Sequence, residues 1–394
     1  NTSAINGAIK NTGGDVYLVN PNGVIFGKTA SVNVGNLYVS TQEESTLNMT
    51  AFTGSGASPL STTVTDVGKA DVVNMGSITA NKVEVYGRSI RILDAANVHA
   101  TTSPVILHID EETNGGYAHI GYQSGSVPST SDYEIHKKFT PPPPSPSSPP
   151  LPPTTVVAAA TAADNYYQLV STPTDFQNIN SDLTKNYMLA NDIDFYDSVT
   201  GTKKSLTPIG GDSHVAFSGK FDGNFFRIQN FTVSGTSRAG AFGETNGARI
   251  DNVGITGATI TGGTTTADYA GGVVGYATSS TLKNVYSDSG TRISGAAGRH
   301  GGIAGYTSDT TIESAYSKAT IGAGGGIIGN ATANTKVTDT YSEVISTGYT
   351  GTTPLGAWFI YNINPITGPG AVTVDRAYYV GDRFSYSNVS ANIQ

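Results

Sequence analysis

The chain has 394 residues, a charged fraction of 13%, a net charge of −8 and no cysteine. Its basic residues form no run longer than His136-Lys137-Lys138, which argues against nucleic acid or an anionic membrane as the main partner. No apolar run approaches the roughly 18 residues of a membrane-spanning helix.

What remains is rich in Gly, with 48 residues, and in Thr, Ser, Asn, Ala, Val and Ile. Such a composition favours short strands joined by tight turns over helices. A chain of this kind without Cys has to draw its core from stacked strands, and it also suits passage across an envelope in unfolded form. The sequence opens without Met and inside a structured pattern, which we read as the start of a fragment.

From the N-terminus, Asp15-Val16-Tyr17-Leu18-Val19 runs into Asn20-Pro21-Asn22-Gly23, and Val24-Ile25-Phe26 follows. Pro presets φ for a turn and Asn-Gly accepts positive φ, so the four residues read as a tight turn between strands. Val32, Val34, Leu37 and Val39 alternate with small or polar residues as in a half-buried strand. Residues 76–80, 82–86 and 90–93 are three further strand-sized pieces. Residues 51–65 and 123–133 lack apolar periodicity and read as exposed loops.

Pro141 to Pro153 reads PPPPSPSSPPLPP. Prolines at this density bar helix and sheet and predict an extended spacer of roughly 40 Å. We therefore expect a first domain over 1–139, a linker over 140–155 and a second domain over 156–394.

The second half repeats itself. Gly271-Gly272-Val-Val-Gly275 precedes Tyr286, Gly301-Gly302-Ile-Ala-Gly305 precedes Tyr316, and Gly325-Gly326-Ile-Ile-Gly329 precedes Tyr341. The Gly pairs lie 30 and 24 residues apart, and each Tyr follows its pair by 15 or 16. Residues 239–253 form a degenerate earlier copy and 374–378 a half-copy. Fixed anchors with variable length between them predict stacked coils whose loops fall on one edge. Gly-Gly marks close backbone approach, and Tyr can stack on its equivalent one coil away.

Candidate chemistry is sparse. Asp192 and Asp194 would point to one side of a strand, and Asp222 follows in Phe-Asp-Gly-Asn. They fit solvation of a strand face or acid–base chemistry on a polysaccharide, and Asp192 with Asp194 also fits a calcium site. Of six His (His99, His108, His119, His136, His214 and His300), none has metal-ligand spacing, although His108 and His119 could meet across a hairpin. The repeated Tyr residues read as stacked core or as an exposed ladder for a sugar or protein partner. No cofactor is expected.

Gly14–Gly27, with Ala30-Ser-Val-Asn-Val-Gly35 and Leu37-Tyr-Val-Ser-Thr41, resembles the secretion domain of filamentous-haemagglutinin-like exoproteins. That family is exported by two-partner secretion and carries Asn-Pro-Asn-Gly in this context; its earlier half has no counterpart here. The resemblance implies an outer-membrane transporter as partner, with Asn20, Pro21, Asn22 and Gly23 as a secretion motif. The later repeats resemble the GLUG motif of bacterial surface proteins, including adhesins.

Together these features predict an all-β, right-handed parallel β-helix in two domains. The expected function is a secreted surface adhesin binding a host or bacterial glycan or protein, and not an enzyme. The alternatives are a β-helix polysaccharide-degrading enzyme, or a haem-scavenging or toxin-carrying exoprotein of the same secretion class.

Overall fold

The computed structural model describes residues 1–56, 58–60, 67–110, 116–129, 131–139, 154–159, 164–211, 215–265, 268–295, 299–322, 324–343, 345–346, 358–363, 372–380 and 390–393. Contacts divide the chain into two compact units, Asn1–Leu169 and Val170–Gln394.

The first unit is built from two stacks of parallel strands. In one, Ser3–Ile5, Val24–Phe26, Val72–Asn74, Ile90–Ile92, Ala118–Tyr122 and Tyr166–Gln168 lie each in register on the next. In the other, Ala8–Val19, Ser31–Ser40, Lys82–Tyr86, Val105–Ile109 and Tyr133–Phe139 do the same. The period-2 pattern decides which side faces in. Val32, Val34, Leu37 and Val39 are buried, as are Val83, Val85, Leu107, Ile109 and Ile135 from the coils above. Each such aliphatic side chain contributes about 1.5–3 kcal/mol by leaving water.

The second unit repeats this plan with more regularity. Ala239 registers on Ala270, Ala270 on His300 and His300 on Gly324. Ile250, Leu282, Ile312, Val337 and Val374 form a second column. Val233, Ile260, Ile293 and Ile321 form a third. These inward residues, with Phe176, Phe217, Phe221 and Phe242 nearer the unit's start, make one continuous core.

Residues at the corners adopt left-handed backbone. Asn252, Asn284, Ser314, Asp339 and Arg376 share one corner, with φ of 56, 53, 55, 52 and 47°. Asn tolerates this conformation, and Asn284 Nδ2 donates to Asn252 Oδ1 at 3.0 Å, so one coil's turn braces the next.

One expectation needs correction. A helix, Met49–Ser55, lies in the stretch read as loop, and another spans Pro173–Asn178. The latter starts with a Thr172–Asp175 capping box and Pro at its first turn, a combination that stabilises even a short helix. Tyr286 and Tyr316 open short strands, Tyr286–Ser287 and Tyr316–Ser317, after left-handed Asn284 and Ser314, whereas Tyr341 lies within Lys336–Glu343, which runs through left-handed Asp339. Strand pairing joins residues on either side of the Pro-rich stretch. Thr154–Ala159 pairs antiparallel with Tyr133–Phe139, and Tyr166–Gln168 pairs with Ile120–Tyr122. Residues 187–229 stack in parallel as well, with Tyr187 in register on Phe221 and Ile193 on Ile228. The Pro-rich stretch 141–153 lies outside the described residues.

Candidate functional site

The Asn20–Gly23 segment is a turn held from within. Gly23 N–H donates to Asn20 C=O at 3.0 Å, closing it. Asn20 Oδ1 accepts from Asn22 N–H at 2.9 Å, and Asn20 Nδ2 donates to Asn1 C=O at 2.9 Å and Ser3 Oγ at 2.8 Å. Thr2 Oγ1 donates to Asn22 C=O, and Ser3 N–H to Gly23 C=O. Asn20 thus clamps the first coil to the second. Gly23 takes φ of 107°, and a Cβ there would sit 3.0 Å from Asp71 C=O, so only Gly fits. Asn22, in contrast, is exposed and is not left-handed.

In the repeats, the Gly residues lie where backbones approach closely. None of Gly271, Gly272, Gly275, Gly301, Gly302, Gly305 or Gly329 has positive φ. A Cβ on Gly302 would strike Gly326 C=O and Ser317 Oγ, and one on Gly272 would strike Gly302 C=O. Gly325 registers on Gly301. The Ser after each Tyr completes the device. Ser287 is buried, donates to Gly302 C=O at 2.7 Å and lies 2.9 Å from Ser317 Oγ. Sequence reading missed this Tyr-Ser pairing, although Ser287, Ser317 and Ser342 were visible.

The Tyr residues form two outward columns. Tyr286, Tyr316, Tyr341 and Tyr378 are in register. Tyr286 and Tyr316 stack at 4.7 Å and 3°, and Tyr316 is 38% exposed. The Tyr286 ring leans over Gly254, where a Cβ would collide with it. In the other column Tyr276 and Tyr306 stack at 4.2 Å and 4°, with Tyr269 edge-on to both. Arg238 lies over Tyr276 at 4.4 Å and pairs with Glu244. Burial, followed by the neighbouring Tyr306, pushes the Tyr276 phenol up to about 12.

The carboxylates do not converge. Asp192 takes the Arg227 guanidinium at 2.6 Å and the Arg227 N–H at 2.9 Å. Asp194 accepts from Tyr196 N–H, Asn230 Nδ2 and Gln229 Nε2. Oxygens that a calcium ion would take are thus occupied by donors. Asp222 is buried in a different column, between Met188 and Asp251, and accepts from Asn224 N–H and Asn252 Nδ2. Among the described residues no group of three His, Cys, Asp or Glu is placed to hold a metal. Asp251, in register with Asp222, is held up at about 6, chiefly by burial and against the pull of Arg249.

His108 and His119 do not meet. His108 stacks on Tyr86 at 4.0 Å and packs against His136 at 4.5 Å, while His119 lies between Tyr117 and Tyr167. Burial and then His136 lower His108 to about 3. His214 lies outside the described residues. A cavity of about 460 Å³ in the first unit, lined among others by His99, Thr101, Ser126, Asp132 and Tyr133, has no signal in the residue pattern.

Against known proteins, residues 1–128 match the family model of the TPS secretion domain. No curated protein matches the chain. Among solved structures, a candidate immunoglobulin A1 protease from Bacteroides ovatus aligns with a TM-score of 0.38 and 18% identity, over 58% of this chain and 82% of that one.

Proposed function

We propose that this chain, whose residues 1–128 match the TPS secretion domain, is part of an exported surface adhesin. The domain implies a secreted exoprotein with an outer-membrane transporter as partner. The observation that supports adhesion is the second unit's construction. Coils in register carry outward Tyr columns on a rigid stack and place variable connections at its edges. Rigid aromatic side chains on a fixed scaffold make contact area at low entropic cost. The coils are read as right-handed, the sense of nearly all parallel crossover connections. The repeats are read as GLUG motifs.

The test is attachment. Beads coated with the full chain should bind host or sister cells, and uncoated beads should not; equal binding would remove the adhesin reading. The rival, a polysaccharide-degrading enzyme, predicts oligosaccharide release from pectin or alginate. Release abolished by Asp192→Ala or Asp222→Ala would replace adhesion with catalysis.

A further inference from the structure

We infer that the face carrying Tyr286 and Tyr316 docks a cationic polypeptide segment rich in Arg and Lys. This rests on the adhesin reading and names the partner's chemistry.

The first ground is an asymmetry among the chain's own aromatic side chains. Lys82 lies over Tyr38 at 5.6 Å, Arg91 over Tyr117 at 4.9 Å, Arg238 over Tyr276 at 4.4 Å, Arg299 over Tyr269 at 5.4 Å and Lys318 over Tyr341 at 5.9 Å. The fold therefore covers its Tyr rings repeatedly with cations. Among the described residues, the Tyr286–Tyr316 stack has no cation over either ring, although Tyr316 is among the more exposed large side chains.

The second ground is charge. Two places on from this column, Asp194, Gln229 and Thr256 are in register, and Asp288, Lys318 and Glu343 follow two residues after Tyr286, Tyr316 and Tyr341. Lys318 pairs with Glu343, and Arg227 at the head of the Tyr column pairs with Asp192. Asp194 and Asp288 have no ion-pair partner among the described residues. Neutral donors hold both in place: Gly257 N–H, Gly290 N–H and Thr291 Oγ1 on Asp288, and the three named above on Asp194. Arg227 and Lys318 lie within electrostatic reach of the two rings but each is already held by a carboxylate, so among the described residues the face presents two carboxylates outside any ion pair beside an aromatic stack that no cation covers, on a chain of net charge −8. A guanidinium or ammonium satisfies both at once: the ring quadrupole attracts it and the carboxylate neutralises it. Rungs about 4.8 Å apart let successive cationic side chains of an extended segment find successive sites.

The test uses the full chain and three probes at physiological salt: an Arg-rich peptide, a Glu-rich peptide of equal length and a neutral oligosaccharide. The Arg-rich peptide should bind, and Tyr286→Ala with Tyr316→Ala should weaken it about tenfold. Tyr316→Phe should retain binding, since it keeps the ring. Asp288→Asn should weaken binding, whereas Asp15→Asn, the same charge change in the first unit, should not. Far-UV circular dichroism checks that each variant is folded. Equal binding by the double Tyr variant would overturn the inference, leaving only diffuse attraction to an acidic protein. Tyr-dependent binding of the oligosaccharide in place of the peptide would also overturn it. Failed cell attachment by wild type, with Tyr-dependent peptide binding intact, would uphold this face and remove the adhesin reading instead.

Discussion

Asp251 titrates at about 6 in the folded chain against 3.8 ordinarily. Between those pH values the folded state holds a proton that the unfolded state has lost. This group's contribution is therefore fully present below about pH 4 and falls away as pH rises through 6, by about 3 kcal/mol. Asp251→Asn should raise the melting temperature at pH 7.5 and leave it nearly unchanged at pH 4; thermal denaturation at both values checks this. Asn20 and Asn22 separate differently. Asn20 makes the bonds that join two coils, so Asn20→Ala should cost about 1–2 kcal/mol and lower export of the parent protein with its transporter. Asn22→Ala, at an exposed side chain, should leave stability within about 0.5 kcal/mol. If it still lowers surface protein, the transporter reads that side chain; if surface levels hold, Asn22 only fills a turn position. The tight turn itself was legible from Pro and Asn-Gly, because those residue types have few backbone alternatives. That Asn20 does the clamping was not, because its partners Asn1 and Ser3 are distant in sequence.

At the scale of the repeat element, spacing was a good guide wherever a side chain had one possible place. Gly pairs and Tyr residues recur because backbones touch at one position and rings stack at the other. The corner column was hidden, since Asn252, Asn284, Ser314, Asp339 and Arg376 share a backbone conformation without sharing a residue type. The pairing of His108 with His136 was hidden too, because it depends on which strand lies in the next coil. The close approach gives a direct prediction. Gly302→Ala places a methyl against Gly326 C=O and Ser317 Oγ, and should destabilise by about 1–3 kcal/mol. Gly7→Ala meets nothing within 4 Å and should be close to neutral. Urea titration of both variants would show the difference; equal midpoints would mean that the coils can slide apart to make room.

For the molecule as a whole, the boundary moves the consequences of cutting the chain. Composition placed the break at the prolines, since they interrupt every periodic pattern, but strand pairing runs past them. Thr154–Ala159 is hydrogen-bonded to Tyr133–Phe139, and Tyr166–Gln168 to Ile120–Tyr122. A protease site inserted between Pro144 and Ser145 should therefore give two fragments on a denaturing gel that still travel together on a native one. Separation without denaturant would show that those strand pairs are too weak to hold.

The register of the second unit also has a mechanical side. Backbone bonds between coils point along the stack, and in the Ile250–Leu282–Ile312–Val337 column each strand pairs only with the one before and the one after it. Pulled from its ends, such a stack peels one turn at a time. The steps from Gly271 to Gly301 and on to Gly325 span 30 and 24 residues, and each freed turn would pay out roughly 80–100 Å of slack at about 3.3–3.6 Å per residue. Under tension this unit should therefore lengthen in instalments, and on the adhesin reading an attached cell would be let out gradually before the hold failed.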